Sequence, residues 1–322
     1  MNKSYLNFRT DMADERVDTY KRVHNLSEID GVIVKTDSEK NIKITTVEIT
    51  NENGEKALSK EKGKYITIEA YNMEYLSEEE KQLLIQKLSE NIQELVEDKN
   101  KTLMIVGLGN IYVTPDALGP KVVKYLDITR HLLKFAKKCI DSNIREMSAI
   151  SPGVLGTTGI ETCEIVESVV NKVKPDIVIA IDSLASQSVS RIGRTIQLSN
   201  KGIVPGAGVK NTREGINENT LNIPVIAIGV PTVVDMATIT NEAIDKLLEN
   251  SQKEIEQLNN DNIDKKNSSK IFELLNNDNR YTMIANTLDT QNYIVTPKEV
   301  DEIIDKMSEI IASSINVLVE NK

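Results

Sequence analysis

Histidine is nearly missing from this 322-residue chain: there are two, His24 and His131, and neither stands in a recognisable site motif. A Ser-His-Asp or Cys-His nucleophile would need one of them on a loop after a core strand, and neither is so placed. His131, within Thr129-Arg130-His131-Leu132-Leu133-Lys134, reads as a helix-surface residue, and a zinc site is equally short of imidazole. Cysteine is scarce too. Cys139 and Cys163 are too few for a disulfide framework and show neither metal-ligand nor redox spacing, so both read as buried thiols. No apolar run approaches the roughly 18 residues that cross a bilayer, and the amino terminus is polar and acidic rather than signal-like; a cytoplasmic protein is expected. Positive charge is also in deficit, with 39 Lys and Arg against 49 Asp and Glu, a net charge of -10 and a pI near 5.0. That balance argues against a nucleic-acid or anionic-membrane surface, which needs clustered Lys and Arg.

What is present is a chain of 35.9 kDa, long enough for a substantial α/β core. Residues 1–28 lack sustained periodicity and carry Arg9, Asp11, Asp14, Glu15, Arg16 and Asp18 at close spacing, so they read as an arm or removable extension. Residues 30–70 hold β-branched alternating runs around 32–34, 42–49 and 65–69, which predict two or three strands. Ser77 with Glu80 is a capping-box start for a long amphipathic helix carrying Leu84, Leu88, Ile92 and Leu95. From Thr102 onward, apolar strands (103–106, 146–150, 177–181) alternate with helical patterns (117–126, 160–173). This alternation predicts an α/β fold: a doubly wound, mostly parallel sheet flanked by helices, with an N-terminal β-containing extension at 30–70. Further strands are expected at 194–198 and 223–230, helices at 240–258 and 297–319, and a flexible surface loop at 259–270.

The chemistry sits at strand ends. The stretch Gly107-Leu108-Gly109-Asn110-Ile111-Tyr112-Val113-Thr114-Pro115-Asp116 follows an apolar strand and leads into a helix, placing Asp116 where ligands bind in open α/β sheets. Thr114 or Asp116 also suits a plain helix cap. The run Ile177-Val178-Ile179-Ala180-Ile181 ends in Asp182, at the same carboxyl edge. Two carboxylates in one poorly solvated crevice resist joint ionisation, so one acts as base and one as acid, a pair able to activate water without metal. They could equally bind backbone amides or a cation. Asp235, after the next buried strand, suits capping or packing. Glycine-rich turns surround these strands, and Gly109, Asn110, Gly153, Gly156, Gly206 and Gly208 are candidate backbone positions for an extended peptide or an oxyanion. None completes a Walker A or dinucleotide fingerprint.

Taken together, the stretch 107–120, Ser151-Pro152-Gly153-Val154-Leu155-Gly156-Thr157-Thr158-Gly159 with its neighbours, 174–185, Thr195-Ile196-Gln197, 223–238 and Arg9-Thr10-Asp11-Met12-Ala13 resemble the germination protease family of spore-forming bacteria. The resemblance covers most of residues 5–240 plus 295–301. It implies an atypical aspartic-type endopeptidase that begins degradation of small acid-soluble spore proteins, with its two essential aspartates at Asp116 and Asp182 and no cofactor. It implies a phosphorylase/hydrolase-like fold related to hydrogenase-maturation endopeptidases, and a homotetrameric zymogen in the spore core. Residues 1–11 would then be a propeptide removed by self-cleavage at Asp11-Met12, ahead of one catalytic domain over 12–322, because Thr10-Asp11-Met12-Ala13-Asp14-Glu15 is similar to the Thr-Glu-apolar-Ala-Ser-Glu site of the substrates. Met12, Ser183 and residues 186–194 depart from the family pattern, which bears on substrate preference. A non-catalytic or divergent peptide-binding paralogue, or a metal-dependent hydrogenase-maturation type, is the alternative.

Overall fold

The computed structural model describes residues 10–71, 73–136, 144–204, 214–257, 284 and 293–320. Among these residues nine strands form one sheet: β1 Val32–Glu39, β2 Ile42–Ile49, β3 Gly63–Ala70, β4 Leu103–Gly107, β5 Met147–Ile150, β6 Ile177–Ala185, β7 Thr195–Ser199, β8 Val225–Asp235 and β9 Ile294–Val295. They run in the order β1-β2-β3-β7-β8-β6-β4-β5, with β9 against β8. The half made of β8, β6, β4 and β5 is parallel. The half made of β1, β2, β3 and β7 is antiparallel and joins β8 through β7. The predicted α/β architecture with a parallel, helix-flanked centre is therefore present, and the 30–70 extension is a three-stranded wing of the same sheet.

The described helices are α1 Ala13–His24, α2 Glu52–Leu58, α3 Glu78–Val96, α4 Leu118–Lys124, α5 Arg130–Phe135, α6 Leu155–Thr158, α7 Thr162–Val173, α8 Glu218–Leu221, α9 Met236–Gln257 and α10 Val300–Glu320. Side chains alternate across a strand, so β6 sends Ile177, Ile179 and Ile181 to one face and Val178, Ala180 and Asp182 to the other. The first face, continued by Ile66, Ile68, Ile196 and Leu198, is packed against Leu84, Leu88 and Ile92 of α3, Leu118 and Val122 of α4, and Ile304, Ile311 and Ile315 of α10. Leu88 is fully buried there, and Leu88→Ala would cost about 2–5 kcal/mol. The capping box of α3 is formed: Ser77 Oγ accepts from Glu80 N–H, and Glu80 accepts from Ser77 N–H at 2.8 Å.

The second face has two separate covers. Over the parallel half, Val166 and Val170 of α7 and Leu221 of α8 pack on Met104, Val106, Val178 and Ala180. Over the antiparallel wing, Ala13 and Val17 of α1 and Ala57 and Leu58 of α2 pack on Val47, Ile49 and Tyr65. Between them lies open sheet.

Two expectations are revised. Residues 13–24 are a docked helix rather than part of a loose arm; its apolar face is as small as Ala13 and Val17, too little to register as periodicity, and it also buries Asp14 and Glu15. Strand β6 does not stop at Ile181 but runs to Ala185, because β8 extends alongside it, pairing Asp182 with Gly229 and Leu184 with Pro231 before a register shift. The proline, lacking an N–H, falls where the pairing breaks. His131 is exposed on α5 and Cys163 is buried on α7, as their sequence contexts suggest. Cys139 and the 259–270 segment lie outside the described residues. Among the described residues no helix is long and apolar enough to cross a membrane.

Candidate active site

The gap between the two covers is a cavity of about 860 Å³ whose lining includes Asp116, Asp182, Asp11, Gly109, Asn110, Gly156, Gln197 and Lys60. Both sequence-predicted carboxylates thus face one space. Asp182 comes from the last fully parallel rungs of β6 and is 5% exposed; Ser183 N–H donates to its Oδ1 at 2.9 Å.

Asp116 arrives by a different route. The loop after β4 turns through Gly109 at φ +108, where a Cβ would lie 2.0 Å from the carbonyl oxygen of Asp116. Only glycine fits this turn. Asn110 N–H then donates to both the Asp116 carbonyl, at 3.0 Å, and its Oδ2, at 2.8 Å, which fixes the carboxylate. The start of α4 presses on the strand ends through Gly119, whose absent Cβ would sit 2.6 Å from the carbonyl oxygen of Ile181, the residue before Asp182. Close packing at these glycines turns the loop acid into the cavity that the strand acid also lines.

The candidate oxyanion positions separate under this geometry. Gly109 and Gly156 line the cavity, and Asn110 lines it while its amide is turned to Asp116. Gly153, at φ +77, turns the 151–154 loop and is not part of the lining. Gly206 and Gly208 lie outside the described residues. Asp235 caps α9, accepting from Thr238 N–H at 2.9 Å and from its hydroxyl at 2.5 Å. Among the described residues no three His, Cys, Asp or Glu side chains cluster as a metal site.

Asp11 borders the same cavity, with Met12 buried behind it. Asp11 N–H donates to the Ala185 carbonyl at 3.0 Å, and Ala185 N–H donates to Asp11 Oδ2 at 2.9 Å. Gln197 holds both sides of the Asp11-Met12 peptide, its Nε2 donating to the Asp11 carbonyl at 3.1 Å and its Oε1 accepting from Ala13 N–H at 2.6 Å. Met12 and Ala13 are fully buried. Arg16 clamps the Thr10 carbonyl through Nε at 3.2 Å and Nη2 at 3.0 Å.

The arm's own acids are held from the β6–β7 connection. Arg191 pairs with Asp14 at 2.7 Å and lies 3.6 Å from Glu15, whose Oε2 accepts from Gln187 N–H at 2.8 Å and from the Thr10 hydroxyl. Burial outweighs these partners and raises the Glu15 carboxyl to about 7. Burial also pulls the Lys60 ammonium down to about 8, against the nearby charge of Asp11. Sequence reading did not single out Gln197, Arg191, Lys60 or Ala185 as site residues. Their contacts span far-separated parts of the chain and leave no local pattern; only the polar Gln197 inside the β7 run Thr195–Ser199 hinted at a specialised position.

Comparison with known proteins identifies the family. A family model for germination protease matches residues 9–275. Germination protease of Clostridium perfringens (strain SM101) is 46% identical over 324 residues, covering 98% of this chain and 95% of that protein. Those of Clostridium tetani and Priestia megaterium are 44% and 38% identical, covering 98% and 100% of this chain and 96% of each relative. A solved [NiFe] hydrogenase maturation protease, HycI from Thermococcus kodakarensis, shares 14% identity over 44% of this chain and 80% of that one at a TM-score of 0.28, a likeness too slight to build on. Near full-length identity to several relatives, with the family match over residues 9–275, establishes that the chain belongs to the germination protease family, a family of peptidases.

Proposed function

We propose that this chain is an endopeptidase that begins degradation of small acid-soluble spore proteins during germination, is made as a self-processing zymogen, and cleaves with an aspartate pair. The observation that carries the reading is the shared cavity: Asp116, Asp182 and Asp11, the residue before the expected cut, line it together. In the reaction, water adds to the peptide carbonyl while one carboxylate takes its proton. The other, protonated, carboxyl supplies a proton to the leaving nitrogen as the C–N bond breaks, giving a new carboxylate and a new amine. In the intact chain the tethered segment occupies the cavity at high effective concentration, which keeps external protein out until residues 1–11 are cut away.

The remaining parts of the proposal are a homotetramer located in the spore core. The acidic surface, net -10, suits an enzyme that meets its substrates without competing for nucleic acid. Incubation of the purified protein with a small acid-soluble spore protein is expected to give one discrete cut, absent in Asp116→Asn and Asp182→Asn and unchanged by EDTA. Uncut substrate would favour a peptide-binding paralogue, and a chelator-sensitive cut a metal-dependent mechanism.

A further inference from the structure

We propose that Gln197 is the donor that holds the carbonyl of the Asp11-Met12 bond while that bond is cleaved, a role that rests on the aspartate-pair reading of the site. The sheet itself sets up the placement. Gln197 pairs with Gly229 on β8, and Gly229 pairs with Asp182 on β6, so the three share one rung. Residues opposite one another on neighbouring strands point to the same face. With strands about 4.8 Å apart, the Cα atoms of Gln197 and Asp182 are about 10 Å apart across the intervening strand. The position between them is glycine, and the Leu184 side chain packs over it: a Cβ there would meet that side chain at 2.3 Å.

Hydrogen bonding fixes which way the carboxamide faces. Ala13 N–H can only donate, so the atom it meets at 2.6 Å is the Gln197 oxygen. The amide nitrogen is thereby turned to the Asp11 carbonyl, 3.1 Å away. Gln197 is 7% exposed, so this bond is little screened by bulk solvent.

As water adds to the Asp11 carbonyl carbon, the C=O electron pair moves onto the oxygen that Gln197 already contacts. A fixed donor at that oxygen stabilises the transition state more than the ground state. Collapse then expels the Met12 nitrogen, which takes the proton from the acid carboxyl. The same side chain keeps its second bond to Ala13 and holds the start of α1 in place after the cut. Anchoring of the arm does not depend on Gln197 alone, because the two Ala185 bonds and the Arg16 clamp grip Asp11 and Thr10 separately.

The test uses the full-length chain and Gln197→Glu, which keeps an acceptor for Ala13 N–H and removes the donor. The rate of cutting at Asp11-Met12 is followed by intact mass, and docking of the arm by amide hydrogen exchange at Asp11 and Ala13. The expected result is cutting slowed on the order of 100-fold, the usual effect of losing one such donor, with both amides still protected. Cutting within about threefold of wild type would overturn the proposal. Slow cutting with freely exchanging amides would also overturn it, since Gln197 would then be an anchor only. Gln197→Met, without charge, is expected to slow cutting by a similar factor; a wild-type rate in that variant again defeats the donor role. Asp182→Asn, run in parallel, decides the underlying reading separately: if it cuts at the wild-type rate the aspartate pair is wrong whatever Gln197 does.

Discussion

The parallel and antiparallel halves of the sheet do different work and are held together differently. In the parallel half, β6 and β8 are almost wholly buried, mainly aliphatic runs, with Asp182 where β6 reaches the cavity and Asp116 on the loop that follows the neighbouring β4. In the antiparallel wing the apolar cover of α1 is thin, and what fixes it to the rest is a set of buried polar contacts: Arg191 with Asp14 and Glu15, Gln197 with Asp11 and Ala13, Arg16 with Thr10. In the proposed reaction one half supplies the reacting acids and the other helps present a peptide to them. The seam between them, β7 against β8, is where the sheet changes from parallel to antiparallel pairing. Apolar packing tolerates small changes gradually, whereas a buried charge network fails when one partner is lost.

That difference can be broken most severely from the parallel side. Asp116→Asn or Asp182→Asn is expected to lower the peptidase rate on the order of 1000-fold or more, within and beyond the range for loss of a general acid or base, while leaving thermal stability near wild type. A rate assay beside a melting curve checks both halves of the statement.

The next largest effect comes from the wing. Arg191→Met leaves the nearly buried Asp14 and Glu15 without their shared cation, and a loss of about 3–5 kcal/mol is expected in urea denaturation. Hydrogen exchange should place that loss in α1 and leave the centre of β6 protected.

A smaller, pH-dependent effect sharpens the contrast further. The folded-state carboxyl of Glu15 is raised from 4.5 to about 7, chiefly by burial. Folding therefore favours its protonated form: the contribution is fully present below about pH 4.5, declines as pH rises toward 7, and is gone above that. Glu15→Gln is expected to remove this slope from the stability of α1, while a mutation confined to the parallel half leaves it intact. Stability measured at intervals from pH 4.5 to 8 reads it directly.

The smallest effect lies on the opposite face. Ser77→Ala breaks the capping box of α3 and is expected to cost about 1 kcal/mol with no change in cutting rate.

The same contrast explains what could be read from sequence. A continuous apolar run ending in an acid announces itself locally, so Asp182 was legible, and the glycine-bearing loop to Asp116 likewise. The alternating runs at 32–34, 42–49 and 65–69 announced the wing's strands, though not that they join the main sheet through β7. Helix α1 was missed because its buried face mixes Ala13 and Val17 with Asp14 and Glu15, whose burial is intelligible only once Arg191 is seen beside them. Gln197 was missed for the same reason. Its partners are 184 and 186 residues away along the chain, and a polar side chain within the β7 run is the one local mark of a residue that meets so distant a backbone.

The central claim is that Asp116 and Asp182 together cut the chain's own Asp11-Met12 bond. Intact-mass analysis of purified wild-type protein over time, beside both Asp→Asn variants, tests it most directly. The account predicts a wild-type product beginning at Met12 and variants that stay full length; a variant that trims itself at the wild-type rate, or a wild-type cut elsewhere in the chain, would contradict it.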